Sequence, residues 1–174
     1  MTDAAAGPPV RRVVLGVGSN LGDRRAHLRA AVAGWGDEVV AVSDVYETAP
    51  VGGPEQGPFL NLVLVVATDR PAPAVLGRCQ ELEAEAGRVR TERWGPRTLD
   101  VDVLWIDGER HATPELTVPH PRMDDRAFVT VPLAEVAPDL VPATPAPADQ
   151  PVHRVGPLGS TDLSPGGEDG PRGG

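Results

Sequence analysis

Asp100 and Asp102 stand two residues apart in LDVDVLWID (99–107), a run whose other members are almost all apolar. Alternation along a strand puts both carboxylates on one face and Leu99, Val101, Val103 and Trp105 on the other. Their Cα atoms are then roughly 7 Å apart, at about 3.3 Å per residue. Two ionised carboxylates in a partly buried place repel each other, so either cations compensate them or one is protonated. Oxygen-only ligands select hard cations, and two carboxylates with water and phosphate oxygens suit Mg²⁺. An isolated D-x-D more often sits at an exposed edge or pairs with arginines. Here Arg88, Arg90, Arg93 and Arg97 come just before it, and guanidinium groups bind phosphate oxygens in bidentate fashion. Metal between phosphates and aspartates, with arginines on the remaining oxygens, is what a nucleotide polyphosphate requires. A solvated loop with surface ion pairs is the alternative.

Other side chains add to this centre. Trp94 and Pro96 stiffen the junction before Arg97, while Gly87 and residues 88–92 have the composition of a lid. Phe59 and Asn61 share one face of an otherwise aliphatic run. A flat heterocycle with an amide edge would satisfy the Asn61 amide and stack on Phe59, with Phe128 as an opposite wall. Taken alone, Asn61 also fits a structural amide. His120, in a proline-flanked loop near Arg122 and Arg126, suits a phosphate or ribose contact. It does not suit a metal, because no second His or Cys lies at ligand spacing.

The elements that must position these groups can be traced along the chain. Val10–Val17 is a β-branched run ending in GVGSN. From Asp23, Leu28, Ala31, Val32 and Trp35 recur at helical spacing. Residues 38–48 read as one strand, 49–58 as a Pro/Gly loop and 59–68 as a central, near-continuous apolar strand. A helix opening at DRPAP (69–73) buries Val75, Cys79, Leu82 and Ala86 and stops at Gly87. The strand 99–107 follows, then an irregular stretch (108–126) and a short helix in AFVTVPLAEVA (127–137). This order predicts an α+β fold of the ferredoxin-like βαββαβ type, an antiparallel sheet with helices on one face.

The folded domain is expected over residues 10–140. Residues 141–174, rich in proline and glycine and poor in bulky apolar side chains, are expected to form a disordered tail. No lysine is present, and all 16 basic residues are arginine, which excludes P-loop, Schiff-base and kinase-type lysine chemistry. The net charge of −9 argues against a nucleic-acid surface. The N-terminal MTDAAAGPPVRR lacks the apolar core of a signal peptide, no run is long enough for a membrane span, and the single Cys79 has no internal disulfide partner. A cytoplasmic, monomeric protein is expected.

The blocks GVGSNLGDR, YETAPVG, FLN, GRVRTERWGPRTLDVDVL and LTVPHPRM with the following RAF together resemble 6-hydroxymethyl-7,8-dihydropterin pyrophosphokinases of folate biosynthesis. They occur in the family's order over about residues 12–140, and RWGPRTLDVD is the most specific. The resemblance implies a ferredoxin-like sandwich that moves the terminal diphosphate of ATP to the pterin hydroxymethyl group and releases AMP. It implies two Mg²⁺ ions on Asp100 and Asp102, with Asp102 the better placed base. Arg88 and Arg90 match mobile-loop arginines and Arg97 a fixed phosphate contact. Gln80, Glu83, Trp94, Thr117, His120 and Arg126 fall at nucleotide positions. Gly18, Thr48, Ala49, Val51, Phe59, Asn61 and Phe128 fall at pterin positions.

Some positions depart from the common bacterial pattern: Phe59 for tyrosine, Ala49 for proline, Val51 for leucine, Glu115 for arginine and Pro121 for tyrosine, with one residue fewer between Arg90 and Arg93. Two rival readings exist. A ligand-binding module without catalysis has no need for both aspartates. A metal-dependent nuclease or nucleotidyltransferase calls for an extended basic groove, which the charge opposes.

Overall fold

The computed structural model describes residues 7–49, 56–87, 98–144 and 149–159. Its centre is a six-stranded antiparallel sheet built from β1 (Arg11–Ser19), β2 (Val39–Val42), β3 (Val45–Thr48), β4 (Phe59–Thr68), β5 (Asp100–Ile106) and β8 (Val152–Gly156). The strand order is β5-β1-β4-β3-β8, with β2 also on β4. A two-residue hairpin, β6 (His111–Ala112) with β7 (Thr117–Val118), lies within the stretch expected to be irregular. Among the described residues three α-helices complete the fold: α1 (Arg24–Ala33), α2 (Ala72–Glu85) and α3 (Ala127–Val136). The α+β class and the βαββαβ order of the central elements are those of the sequence reading.

The helices follow local rules. Asp23 caps α1, its carboxylate accepting from the Ala26 N–H at 3.1 Å. In α2, Val75, Cys79 and Leu82 are buried at helical spacing, and Gly87 ends the helix at φ 74°. Together with Leu28, Ala31 and Trp35 they cover one face of the sheet, against Val13, Leu15, Leu62, Leu64, Val101 and Val103. Each fully buried Leu or Val of this kind contributes about 1.5–3 kcal/mol.

Four expectations need correction. The helices do not share one face: α3 packs its Val129 and Leu133 on the other side, against Val14, Val63, Val65 and Leu104. The sheet is apolar on both faces because β1 and β4 alternate between two cores, which a strand buried on both sides requires. The 38–48 strand is two strands, offset by one residue at Ser43; its N–H still donates to the Val63 carbonyl, but its hydroxyl accepts the Val63 N–H at 2.9 Å in place of a backbone carbonyl. Trp105 does not lie opposite the aspartates. An extra residue at Leu104 shifts the β1–β5 register, so Leu104 and Trp105 both reach the α3 face. Finally, the 141–174 segment is not uniformly without structure: Val152–Gly156 pair with β3 as β8, the added ladder compensating for the scarcity of apolar side chains.

Candidate functional site

The register of three strands builds the floor of a cavity. On β1, Gly18 lies opposite Asp100 of β5 on one side and Asn61 of β4 on the other, while Gly16 lies between Asp102 and Val63. Asp100 and Asn61 are thus two strands apart, about 10 Å at the usual interstrand spacing. Glycine between them leaves a flat floor. The resulting cavity has a volume of about 390 Å³ and includes Gly16, Gly18, Asn61, Asp100 and Asp102. Its rim comes from Thr48, Ala49, Gln56 and Phe59 on one side and His120, Arg122, Arg126 and Phe128 on the other.

Gly18 is required by close approach. A Cβ there would stand 2.7 Å from the Asn61 Oδ1. That amide is buried, and its Nδ2 donates to the Thr48 hydroxyl at 2.8 Å, which fixes the orientation of the amide plane. Thr48 is the last residue of β3 and pairs with Phe59, so the hydroxyl, amide and ring come from adjacent strand positions.

The opposite wall is cationic. Arg126, the residue before α3, places its guanidinium carbon 5.4 Å from the Phe128 ring centroid. The His120 N–H donates to the Leu104 carbonyl at 2.9 Å, tying this loop to β5. The His120 Nδ1 faces the Arg122 N–H at 3.1 Å and accepts from it, so the ring's proton sits on Nε2. Burial, then the charges of Arg126 and Arg122, push the His120 imidazolium below its ordinary range, against the opposing pull of Asp100. His120 is therefore a neutral donor through Nε2, suited to a phosphate or hydroxyl oxygen.

The donor set also bears on a metal. Among the described residues no group of three His, Cys, Asp or Glu side chains could hold one. Two carboxylates on one strand face, above a glycine floor and open to a cavity, match a hard cation completed by substrate phosphate and water oxygens.

Ten of the expected site residues meet at this cavity: Gly18, Thr48, Ala49, Phe59, Asn61, Asp100, Asp102, His120, Arg126 and Phe128. Gln80, Glu83 and Thr117 do not line it. Gln80 is exposed on α2, and Thr117 is exposed on β7. Glu83 is buried beside β5, where its Oε1 accepts the Val101 N–H at 3.0 Å; this holds the backbone between the two aspartates. Val51, Arg88, Arg90, Trp94 and Arg97 lie outside the described residues. Gly16, Gln56, Arg122 and Gln150 line the cavity without having been singled out as site residues. A glycine alternating with Gly18 was a signal for Gly16. Cys79 is not a nucleophile: burial, with the charges of Glu83 and Asp102, pushes its thiol up to about 12.

Residues 14–138 match the family model for 7,8-dihydro-6-hydroxymethylpterin-pyrophosphokinase (HPPK). The chain belongs to this family. A Mycobacterium tuberculosis protein named 2-amino-4-hydroxy-6-hydroxymethyldihydropteridine pyrophosphokinase is 47% identical over 154 residues, 83% of this chain and 81% of that one. The Bacillus subtilis protein of the same name is 44% identical over 146 residues, 81% and 87% of the two chains. Among solved structures, one described as HPPK-DHPS in complex with substrates aligns with a TM-score of 0.54 at 13% identity. It matches 75% of this chain, which spans only 41% of that larger one, so the likeness concerns the fold. No helix among the described residues is long and apolar enough to cross a membrane.

Proposed function

We propose that this HPPK-family chain transfers the terminal diphosphate of ATP to the hydroxymethyl group of 6-hydroxymethyl-7,8-dihydropterin, giving AMP and the pterin diphosphate. The observation that carries the proposal is the row Asp100–Gly18–Asn61: a carboxylate pair and a fixed amide face the same cavity across a side-chain-free floor. Asn61, oriented by Thr48, pairs with the amide edge of the pterin ring, and Phe59 and Phe128 bracket its plane. The hydroxymethyl group then points along the floor toward Asp100 and Asp102.

Asp100 and Asp102 would hold two Mg²⁺ ions with the ATP phosphates, and the ions supply charge neutralisation and acidification of an oxygen ligand. Asp102 takes the proton of the pterin hydroxyl as its oxygen bonds to the β-phosphorus. The bond from that phosphorus to the bridging oxygen breaks, and the oxygen leaves with AMP. Arg126 and the Nε2–H of His120 contact phosphate or ribose oxygens from the opposite wall. The reading assigns Arg88, Arg90 and Arg97 to the polyphosphate and Val51 and Trp94 to the substrate pockets, on the resemblance of their sequence blocks. On this reading the chain acts as a monomer in the cytoplasm.

Incubation with ATP, Mg²⁺ and 6-hydroxymethyl-7,8-dihydropterin, followed by separation of AMP from ADP, tests the proposal. AMP formed only when pterin is present is the expected result. ADP, or nucleotide breakdown independent of pterin, refutes diphosphoryl transfer.

A further inference from the structure

Residues 149–159 lie beyond the family match, which ends at residue 138, yet they return to the site. The strand β8 pairs with β3, where Val152 lies opposite Thr48. Two residues earlier, Gln150 lines the cavity. Its Oε1 accepts the Ala127 N–H at 3.0 Å, and its Nε2 donates to the Asp125 carbonyl at 3.1 Å. The two bonds flank Arg126, which has no side-chain cap bond of its own at the start of α3. Ala127 is the first residue of that helix, so its N–H has no intrahelical acceptor and needs one from elsewhere. Arg126 and Phe128, on either side of Ala127, form the wall facing Asp100 and Asn61.

The strap is anchored on both sides. Arg154 of β8 pairs with Asp44. The Asp44 N–H donates to the Glu135 Oε2 at 3.1 Å, and the Tyr46 hydroxyl donates to the other oxygen of that carboxylate, on α3. The segment thus spans from the β3 wall, which carries Thr48, to the α3 wall, which carries Arg126 and Phe128.

We infer that Gln150 is a positioning residue, whose side-chain amide staples the Asp125–Ala127 backbone and thereby holds Arg126 and Phe128 against the bound substrates. This rests on the proposed function. Only an amide of this length fits the role, because the site asks for one acceptor and one donor at once; a glutamate has no donor, and an asparagine is one methylene short.

The test compares full-length wild type, Gln150→Met and, as a control on the exposed face of β8, His153→Ala. Four quantities are read: hydrogen exchange at the Ala127 amide, equilibrium pterin binding, the separate KM and kcat values, and thermal melting. Gln150→Met is expected to speed Ala127 exchange. It should raise the pterin Kd and the KM values roughly fivefold while kcat stays within about twofold, the scale of one or two lost hydrogen bonds. His153→Ala should behave as wild type. Unchanged Kd and KM in Gln150→Met overturn the inference. So does a drop in melting temperature and kcat with KM unmoved, which would make Gln150 a stability residue only. If wild type itself bound no pterin, the proposed function would fail instead, and unchanged Ala127 exchange would still overturn the staple.

Discussion

Replacing Gly18 with alanine perturbs the row on which the site is built. The new Cβ would stand 2.7 Å from the Asn61 Oδ1, with the Leu60 carbonyl oxygen and Phe59 Cδ1 both at 3.7 Å. The carbon and oxygen must separate by about 0.7 Å to reach ordinary contact, and the amide is tethered by its hydrogen bond to Thr48. Asn61 is 7% exposed and its Nδ2 donates to Thr48. If the amide turns away, that hydrogen bond is lost and a buried donor is stranded, at about 1–3 kcal/mol. If instead β1 and β4 move apart, the overpacking costs about 1–3 kcal/mol. The entropy that alanine removes from the unfolded chain returns about 0.4–1 kcal/mol. A net loss of about 1–2 kcal/mol, or a fall of about 2–8 °C in Tm for a chain of this size, is expected. Binding suffers more than folding, because about 1 Å of misplacement at a recognition group can cost about 10²-fold.

The assay is thermal melting beside equilibrium pterin binding, with Gly16→Ala as its partner. A Cβ at Gly16 would meet Leu104 Cδ1 at 3.4 Å, the end of a flexible side chain, rather than a tethered amide. Gly16→Ala should melt within about 1 kcal/mol of wild type. Gly18→Ala with wild-type melting and pterin affinity would refute the reasoning. So would a Gly16→Ala protein as damaged as Gly18→Ala.

Three further predictions concern the carboxylates and the histidine. Asp102→Asn should lower AMP formation by at least about 10²-fold, the scale of a lost general base, while pterin affinity is retained; equal loss of both would remove its catalytic assignment. Glu83→Ala should cost about 1–3 kcal/mol in chemical denaturation, because the buried Val101 N–H loses its acceptor, whereas Glu83→Gln keeps an acceptor oxygen and should cost less. For His120, burial and the neighbouring Arg126 hold the folded pKa below the ordinary 6.5, so the unfolded chain takes up its proton first as pH falls. Its contribution to stability is present above about pH 6.5 and is lost as pH drops through the folded value; wild type should therefore lose more stability than His120→Gln between about pH 7 and pH 5.

The sequence signals that proved legible were local and periodic. Asp100 and Asp102 share a face because strand alternation dictates it, and Val75, Cys79 and Leu82 are buried because helical spacing dictates that. The identity of the cavity walls was legible through the specific blocks around Gly18, Asn61 and His120. What escaped depends on relations between strands. The shift at Leu104 that turns Trp105 to the aspartate face is visible only in the pairing with Val14 and Leu15. The break at Ser43 depends on a hydroxyl competing for the Val63 N–H. Gln150 had no signal, since a proline-rich stretch with few apolar residues gives no period to read, and its value lies in two backbone groups 23 and 25 residues away.

The position of the site on the α3 face follows from how side chains change along the three central strands. On β1 the residues facing α3 run Val14, Gly16, Gly18; on β4 they run Val65, Val63, Asn61, Phe59; on β5 they run Leu104, Asp102, Asp100. The antiparallel register aligns these series, so the same edge of the sheet passes from aliphatic to glycine, amide and carboxylate on all three strands. Where the aliphatic residues lie, Val129 and Leu133 of α3 bury them. Where they end, only glycine, amide, carboxylate and the half-buried Phe59 ring remain on this face, and the N-terminal end of α3 presents Arg126 and Phe128 across an open floor. Core and cavity are thus two parts of one sheet face, divided at the level of Gly16. Alanine at Gly16 extends the core by one methyl toward Leu104, whereas alanine at Gly18 intrudes on the recognition amide, and this boundary is why two glycines on one strand face should differ so sharply in what they tolerate.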